Sequence, residues 1–389
     1  MGLYSRFIDA HPDVQHFAAH SHHPWPDVTR DAVLEAWELS NRYADDKWNA
    51  VLGPITQELQ SLIGPWLGLG TGEHLVFGSS TFELVSRILS CHLGKRPFSI
   101  LTTDGEFHSA RRLFLRFQEM GLATLKQVPV FPIATLSERL LAEADRSPPD
   151  MVFASHVFFE TGVIFKDVTV CFKTLAERMS ATTALVIDGY HAFGALPVDH
   201  RPLADSVFYI AGGYKYAQGG EGVCFAHIPP RFSLLPALTG WFAEFAPFSR
   251  SANRFAGATY DFTAQFRLRA SLRAFHDAGI DPQGVRDHVT ALKRRLYENL
   301  ENLDRTPATA FLKALPPGPR CFESVAARIE GTGNFAVFEG RTAELWVAHL
   351  KKAGILCDSR GERLRLGFGL YHDTQAIDRL CHTLAAIAV

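Results

Sequence analysis

Two stretches decide the fold: Val186-Ile187-Asp188-Gly189-Tyr190-His191-Ala192-Phe193-Gly194 and, shortly after, Ala211-Gly212-Gly213-Tyr214-Lys215-Tyr216. The first reads as an apolar strand that closes on a carboxylate. In open α/β sheets the carboxyl ends of the strands line the ligand crevice, so Asp188 is placed to act on a ligand. An aspartate after a strand also serves as an ordinary helix N-cap. Lys215 follows Asp188 by twenty-seven residues in a setting rich in glycine and aromatics. Glycine lets backbone approach a ligand closely. Aromatic walls lower the local dielectric and depress a lysine pKa, which an imine-forming amine requires. A surface lysine between two tyrosines is the plain alternative.

Outward from this centre, short apolar strands alternate with helical patterns. Residues 75–77, 99–102, 151–154, 184–187, 207–210 and 223–227 read as strands, with helices at 82–92, 111–119 and 168–180 between some of them. Two helices precede the first strand over 28–63, ending near Gly64-Pro65. Strands separated by helices predict a mostly parallel sheet covered on both faces. After about residue 260 the character changes. Helices are expected at 262–278 and 282–303, then a proline-rich loop (Pro316, Pro317, Pro319), strands at 324–329 and 334–338, a helix at 341–353, a strand at 364–367 and a helix at 373–387. This reads as a smaller α+β domain. The expected division is 26–258 for the large domain, with 1–25 and 259–389 forming the small one.

Composition narrows the function classes. The chain has 389 residues, 47% hydrophobic and 21% charged, as in ordinary globular proteins. A net charge of -2 gives no general attraction to nucleic acid or anionic membranes. No apolar run reaches the ~18 residues needed to span a bilayer, and the N-terminus lacks a signal pattern; the expected location is the cytoplasm. Six cysteines, Cys91, Cys171, Cys224, Cys321, Cys357 and Cys381, form no C-x-x-C pair. Reduced thiols are expected, without a disulfide framework or a zinc site.

Taken together, the Asp188 and Lys215 segments resemble fold-type I pyridoxal 5'-phosphate (PLP) enzymes of the class V aminotransferase superfamily, and most of all their kynureninase-like branch. There an Asp-x-x-His-x-x-Gly element precedes Tyr-Lys-Tyr. The resemblance covers roughly 70–371 and is strongest over 186–222, 240–260 and 354–371. It implies a mostly parallel seven-stranded sheet sandwiched by helices, with a smaller α+β domain. Lys215 would form the Schiff base and shuttle the α-proton, Asp188 would pair with the pyridine nitrogen, and His191 would sit beside the cofactor or cap a helix. Ser80 and Thr81, between strand and helix, would bind the phosphate, because free N–H groups at a helix N-terminus favour anions. Tyr214 would be a further phosphate ligand. Phe107 would stack on the pyridine, with His108 as the competing candidate.

The same resemblance places Trp241 and Thr259 on two loops at a dimer interface. Trp241 would line a substrate pocket, and Thr259 would reach the partner's phosphate, so a homodimer with composite active sites is implied. Arg365 matches the arginine that binds the substrate α-carboxylate, where a guanidinium gives a bidentate fit. Departures gather on the substrate side. His16-Phe17-Ala18-Ala19-His20-Ser21-His22-His23 replaces an Asn-Ser-Leu-Gly pattern; it reads as a polar pocket wall with His22 or His23 facing substrate, and no metal is called for. Phe107-His108-Ser109-Ala110 and Glu160 also depart. Two activities stay open: hydrolytic Cβ–Cγ cleavage as in kynureninases, or transamination. A desulfurase needs a nucleophilic cysteine on a mobile loop, whereas Cys357 reads as part of a strand. A dinucleotide enzyme needs G-x-G-x-x-G after the first strand, and Gly78-Ser79-Ser80-Thr81 is not that.

Overall fold

The computed structural model describes residues 2–243, 251–302, 322 and 324–386. Cys321 and the three prolines of the expected loop lie outside them. Seven strands form the main sheet: β1 (Leu75–Gly78), β2 (Phe98–Thr103), β3 (Ala123–Val128), β4 (Met151–Ser155), β5 (Ala184–Asp188), β6 (Phe208–Gly212) and β7 (Cys224–His227). Their order is β1-β7-β6-β5-β4-β2-β3. All neighbours run parallel except at β7, which is antiparallel to β1 and β6.

The central strands are buried along their whole length. That is why they read as continuous apolar runs, and why helices must cover both faces. Alternation inside them divides the core in two. Leu185, Ile187, Tyr209 and Ala211 point to one layer, Ala184, Val186, Phe208 and Ile210 to the other. Strand β3 escaped the sequence reading because it is a half-exposed edge, Ala-Thr-Leu-Lys-Gln-Val, with no apolar run to mark it.

The smaller unit has a three-stranded antiparallel sheet of β8 (Phe335–Glu339), β9 (Asp358–Arg360) and β10 (Arg363–Gly367), in the order β9-β10-β8. Helices Pro282–Asn302, Ala343–Lys352 and Thr374–Ala386 pack on it. The N-terminal segment joins this unit. Gln15–His16 pairs parallel with Ile355–Leu356, and Phe17 enters its core.

Two expectations change. The strand expected at 324–329 is a helix, Val325–Gly331, capped by the Ser324 hydroxyl, which accepts from Ala327 N–H at 3.1 Å. Local capping and helix-forming Ala, Arg and Glu outweigh the apolar spacing there. Helix Thr263–Asp277, expected in the small domain, instead adds Leu268, Leu272 and Phe275 to the large core. The two cores part along helix Pro282–Asn302: Val285 belongs to the first and Val289 onward to the second. The break therefore follows buried apolar faces rather than the change of sequence character at 259.

Candidate active site

The carboxyl ends of β4, β5 and β6 meet the N-terminus of helix Thr81–Ser90 around a cavity of about 290 Å³. Asp188 ends β5 and lines it; its Oδ1 accepts from Tyr190 N–H at 2.9 Å. Burial raises the Asp188 carboxyl pKa above the usual range, against the pull of that N–H and of Lys215. Lys215 follows β6, and its Nζ lies 2.5 Å from His191 Nε2. The ammonium position also faces the rings of Tyr190 at 4.9 Å, Phe107 at 5.6 Å and Tyr214 at 5.6 Å. Burial lowers the Lys215 pKa to about 7; Asp188 opposes this and Arg365 adds to it. The aromatic-wall expectation thus has a physical form: a buried amine able to lose its proton near neutrality. Burial and the nearby lysine hold His191 well below its ordinary range. Its Nδ1 is buried without a hydrogen-bond partner among the described residues.

Ser80 and Thr81 line the opposite wall. Ser80 is the N-cap of its helix and accepts from Glu83 N–H at 3.2 Å. The Glu83 carboxylate in turn accepts from the Ser79 N–H and hydroxyl, both at 2.8 Å. A capped helix N-terminus with hydroxyls facing a cavity is an anion seat. Phe107, not His108, reaches the cavity; His108 turns outward to Arg111.

The remaining predicted residues lie elsewhere. His22 is not among the lining residues, but its ring stacks on Tyr214, which is, at 5.5 Å between centroids. Trp241 and Thr259 are away from the cavity lining and bond to each other, Nε1–H to Oγ1, at 2.9 Å. Arg365 is buried and is not among the residues that line the cavity. Its Nε and Nη2 grip Asp358 and its Nη1 donates to the Phe159 carbonyl at 2.7 Å. Glu160 accepts from Arg363 at 2.9 Å. His16 and His23 both meet Tyr371, while His20 bonds Asp358 and His22 stacks on Tyr214; the described residues contain no cluster of three potential metal ligands.

Sequence reasoning missed two residues here. Ser155 ends β4 in register with Asp188 and lines the cavity; the strand-end rule that found Asp188 would have found it too. Behind it, Glu106 is buried and accepts from Thr103 Oγ1 at 2.5 Å and Ser155 Oγ at 2.6 Å. Burial pushes its carboxyl up to about 8 despite those bonds. Nothing in the sequence distinguishes it from an exposed glutamate.

No protein-family model matches the chain. A probable cysteine desulfurase of Chlamydia muridarum (strain MoPn / Nigg) is 22% identical over 365 residues, covering 90% of this chain and 89% of that protein. Among solved structures, the cystine C-S lyase C-DES with its product cysteine persulfide superposes with a TM-score of 0.79 at 16% identity, over 98% of this chain and 100% of its own. A lysine-to-alanine mutant of C-DES, with glycine covalently linked to its PLP cofactor, has a TM-score of 0.79 at 16% identity, over 98% and 99%. The cysteine desulfurase of Thermococcus onnurineus NA1 gives 0.76 at 18% identity, over 99% and 98%. The chain therefore has the fold of PLP-dependent fold-type I enzymes: the mostly parallel seven-stranded sheet, covered by helices, that its sequence led one to expect. These relatives are named for carbon–sulfur chemistry, not for kynureninase activity.

Proposed function

We propose that this chain is a PLP-dependent class V enzyme that breaks a bond at Cβ of an amino acid. One observation carries the reading: the buried Lys215 amine, held by His191, lies in a single cavity with Asp188 and the Ser80-Thr81 helix start. The donor set fits the cofactor. Hydroxyls and free N–H groups at a helix N-terminus suit a phosphate, Asp188 suits a pyridine nitrogen, Phe107 suits a flat ring, and His191 Nδ1 has an unmet hydrogen-bonding capacity.

Lys215, Asp188, Ser80, Thr81, Tyr214, Phe107 and His191 would hold PLP, and bound PLP supplies an electron sink for a carbanion on the substrate. Lys215 is the base and acid at Cα; its low pKa leaves it able both to take and to return a proton near neutral pH. His191 orients its Nζ. Arg365, buried outside the cavity lining, is read as the ligand of the substrate carboxylate from the resemblance and from its guanidinium chemistry. Trp241, partly exposed, and Thr259 are read as one element of a dimer face that completes a second copy's cavity.

Two fates of the side chain are proposed. Hydrolytic Cβ–Cγ cleavage, kynureninase-like, is favoured by the phenylalanines Phe82 and Phe159 along the cavity, which suit a large apolar or aromatic substituent. Cβ–S cleavage is favoured by the names of the relatives. A desulfurase would need a reactive thiolate. Cys224, which lines the cavity, sits 3.6 Å from the Tyr190 hydroxyl, and burial pushes its thiol up to about 12. Half-buried Cys357 is likewise raised to about 12 by burial.

The test is reconstitution with PLP. A visible absorbance band that Lys215→Ala abolishes is the expected result; an identical spectrum in the variant sinks the reading. Kynurenine, cystine and a panel of amino acids then separate the products. An aromatic amine with alanine marks hydrolysis, sulfur release marks C–S cleavage, and a keto acid with the amine form of the cofactor marks transamination.

A further inference from the structure

Four histidines crowd into residues 16–23, and one of them is tied to the predicted carboxylate arginine. His20 is fully buried, with its ring stacked on Phe335 at 4.7 Å and 23°. It is locked there by the smaller sheet. Ala18 bridges to Gly367, and a Cβ on Gly367 would lie 2.2 Å from His20 Nδ1 and 2.7 Å from the His20 backbone nitrogen. Burial lowers the His20 pKa to about 4, so the ring is neutral near neutral pH. Its Nε2 lies 2.9 Å from Asp358 Oδ1, whereas Nδ1 has no partner among the described residues. A neutral ring facing a carboxylate must carry its proton on Nε2 and donate it.

Asp358 passes this hold onward. It accepts from Arg365 Nε at 2.8 Å and from Nη2, while the Phe159 carbonyl accepts from Nη1 at 2.7 Å. Burial opposes ionisation of Asp358, yet the His20 and Arg365 hydrogen bonds keep its carboxyl well below the usual range. An arginine has five N–H donors. Three are committed in this network, which leaves one on each Nη nitrogen.

We propose that His20 is a positioning residue for carboxylate recognition: it anchors Asp358, which sets Arg365 so that its two remaining Nη–H donors form the seat for an amino-acid carboxylate. This rests on the reading of Arg365 given above. The substrate carboxylate does not displace Asp358; it binds beside it. His20 therefore governs the discrimination of amino acids from simple amines, a property that neither Lys215 nor Asp188 supplies.

The experiment uses the PLP-loaded enzyme and follows cofactor absorbance on titration with L-alanine and, separately, with ethylamine, which lacks the carboxylate. His20→Ala is expected to weaken L-alanine about tenfold, the equivalent of about 1.4 kcal/mol, while ethylamine stays within about twofold. His20→Gln, whose amide N–H can reach Asp358, is expected to restore the preference. Asp358→Asn, which keeps the side-chain shape, is expected to lose it as His20→Ala does. Equal losses for both ligands in His20→Ala, or an undiminished preference in it, overturn the proposal whatever Asp358→Asn does. A wild-type chain that shows no cofactor band sinks the enzyme reading itself. A wild-type band without any preference for L-alanine sinks the role of Arg365. Those failures are separate from failure of the His20 link.

Discussion

Lys215 and Asp188 illustrate what burial does to a pair of opposite charges. Each is withdrawn from water, and each is driven toward its neutral form more strongly than the other's charge can prevent. The sign for the amine is direct. With its pKa near 7, against about 10.4 for an exposed lysine, the uncharged nucleophile accumulates as pH rises through 7. We expect the rate of PLP capture by the cofactor-free chain to climb between about pH 6 and 8 and then level off. Stopped-flow absorbance measures it; a rate still climbing tenfold per unit at pH 9 would show a lysine with an ordinary pKa. These two residues stood out in the sequence because their neighbours are diagnostic. Glu106 did not, since its burial and its bond to Ser155, at the end of β4, are set by chain folding rather than by its sequence neighbours.

At the scale of elements, β5 and β6 present the site because they are central, parallel and buried, and their ends open toward one edge of the sheet. The turn after β5 is close-packed. Gly189 N–H bonds the Ile210 carbonyl at 2.8 Å, and a Cβ at 189 would lie 2.1 Å from the Tyr209 hydroxyl. Tyr209 is buried and cannot swing into solvent. Gly189→Ala should therefore shift the end of β5, cost about 1–3 kcal/mol, and weaken PLP binding through Asp188. Chemical denaturation with a PLP titration checks both; unchanged affinity would show that the strand end is not what places Asp188. Legibility follows the same physics. Fully buried strands and long amphipathic helices announce themselves, whereas edge strand β3 lacks an apolar run and helix Val325–Gly331, seven residues long, is too short to show a helical period.

For the molecule as a whole, the cavity belongs to the large unit, while Arg365, Asp358 and Phe335 come from the smaller sheet and His20 from the N-terminal segment. A ligand that binds the native chain and not the unfolded one stabilises it whichever unit holds the cavity. At free PLP a hundredfold above its dissociation constant, the native state should gain about 2.7 kcal/mol, which corresponds to a rise of about 3 °C in melting temperature for a chain this long. Differential scanning calorimetry with and without PLP tests this, and no rise under saturating absorbance would mean that the cofactor does not favour the native state over the unfolded one. No helix among the described residues is long and apolar enough to cross a membrane.

The sequence by itself determined the doubly covered sheet, the strand-end aspartate, the lysine after the next strand and the helix start that faces them. Each is a local pattern: an apolar run, a cap, a residue at a strand's end. Tertiary structure alone decided that Phe107 rather than His108 faces the lysine, that helix Thr263–Asp277 belongs to the large core, and that His20 is joined to Asp358 across 338 residues of chain. Those outcomes depend on which buried faces meet and which polar atoms lose water together. No spacing along the chain encodes that directly.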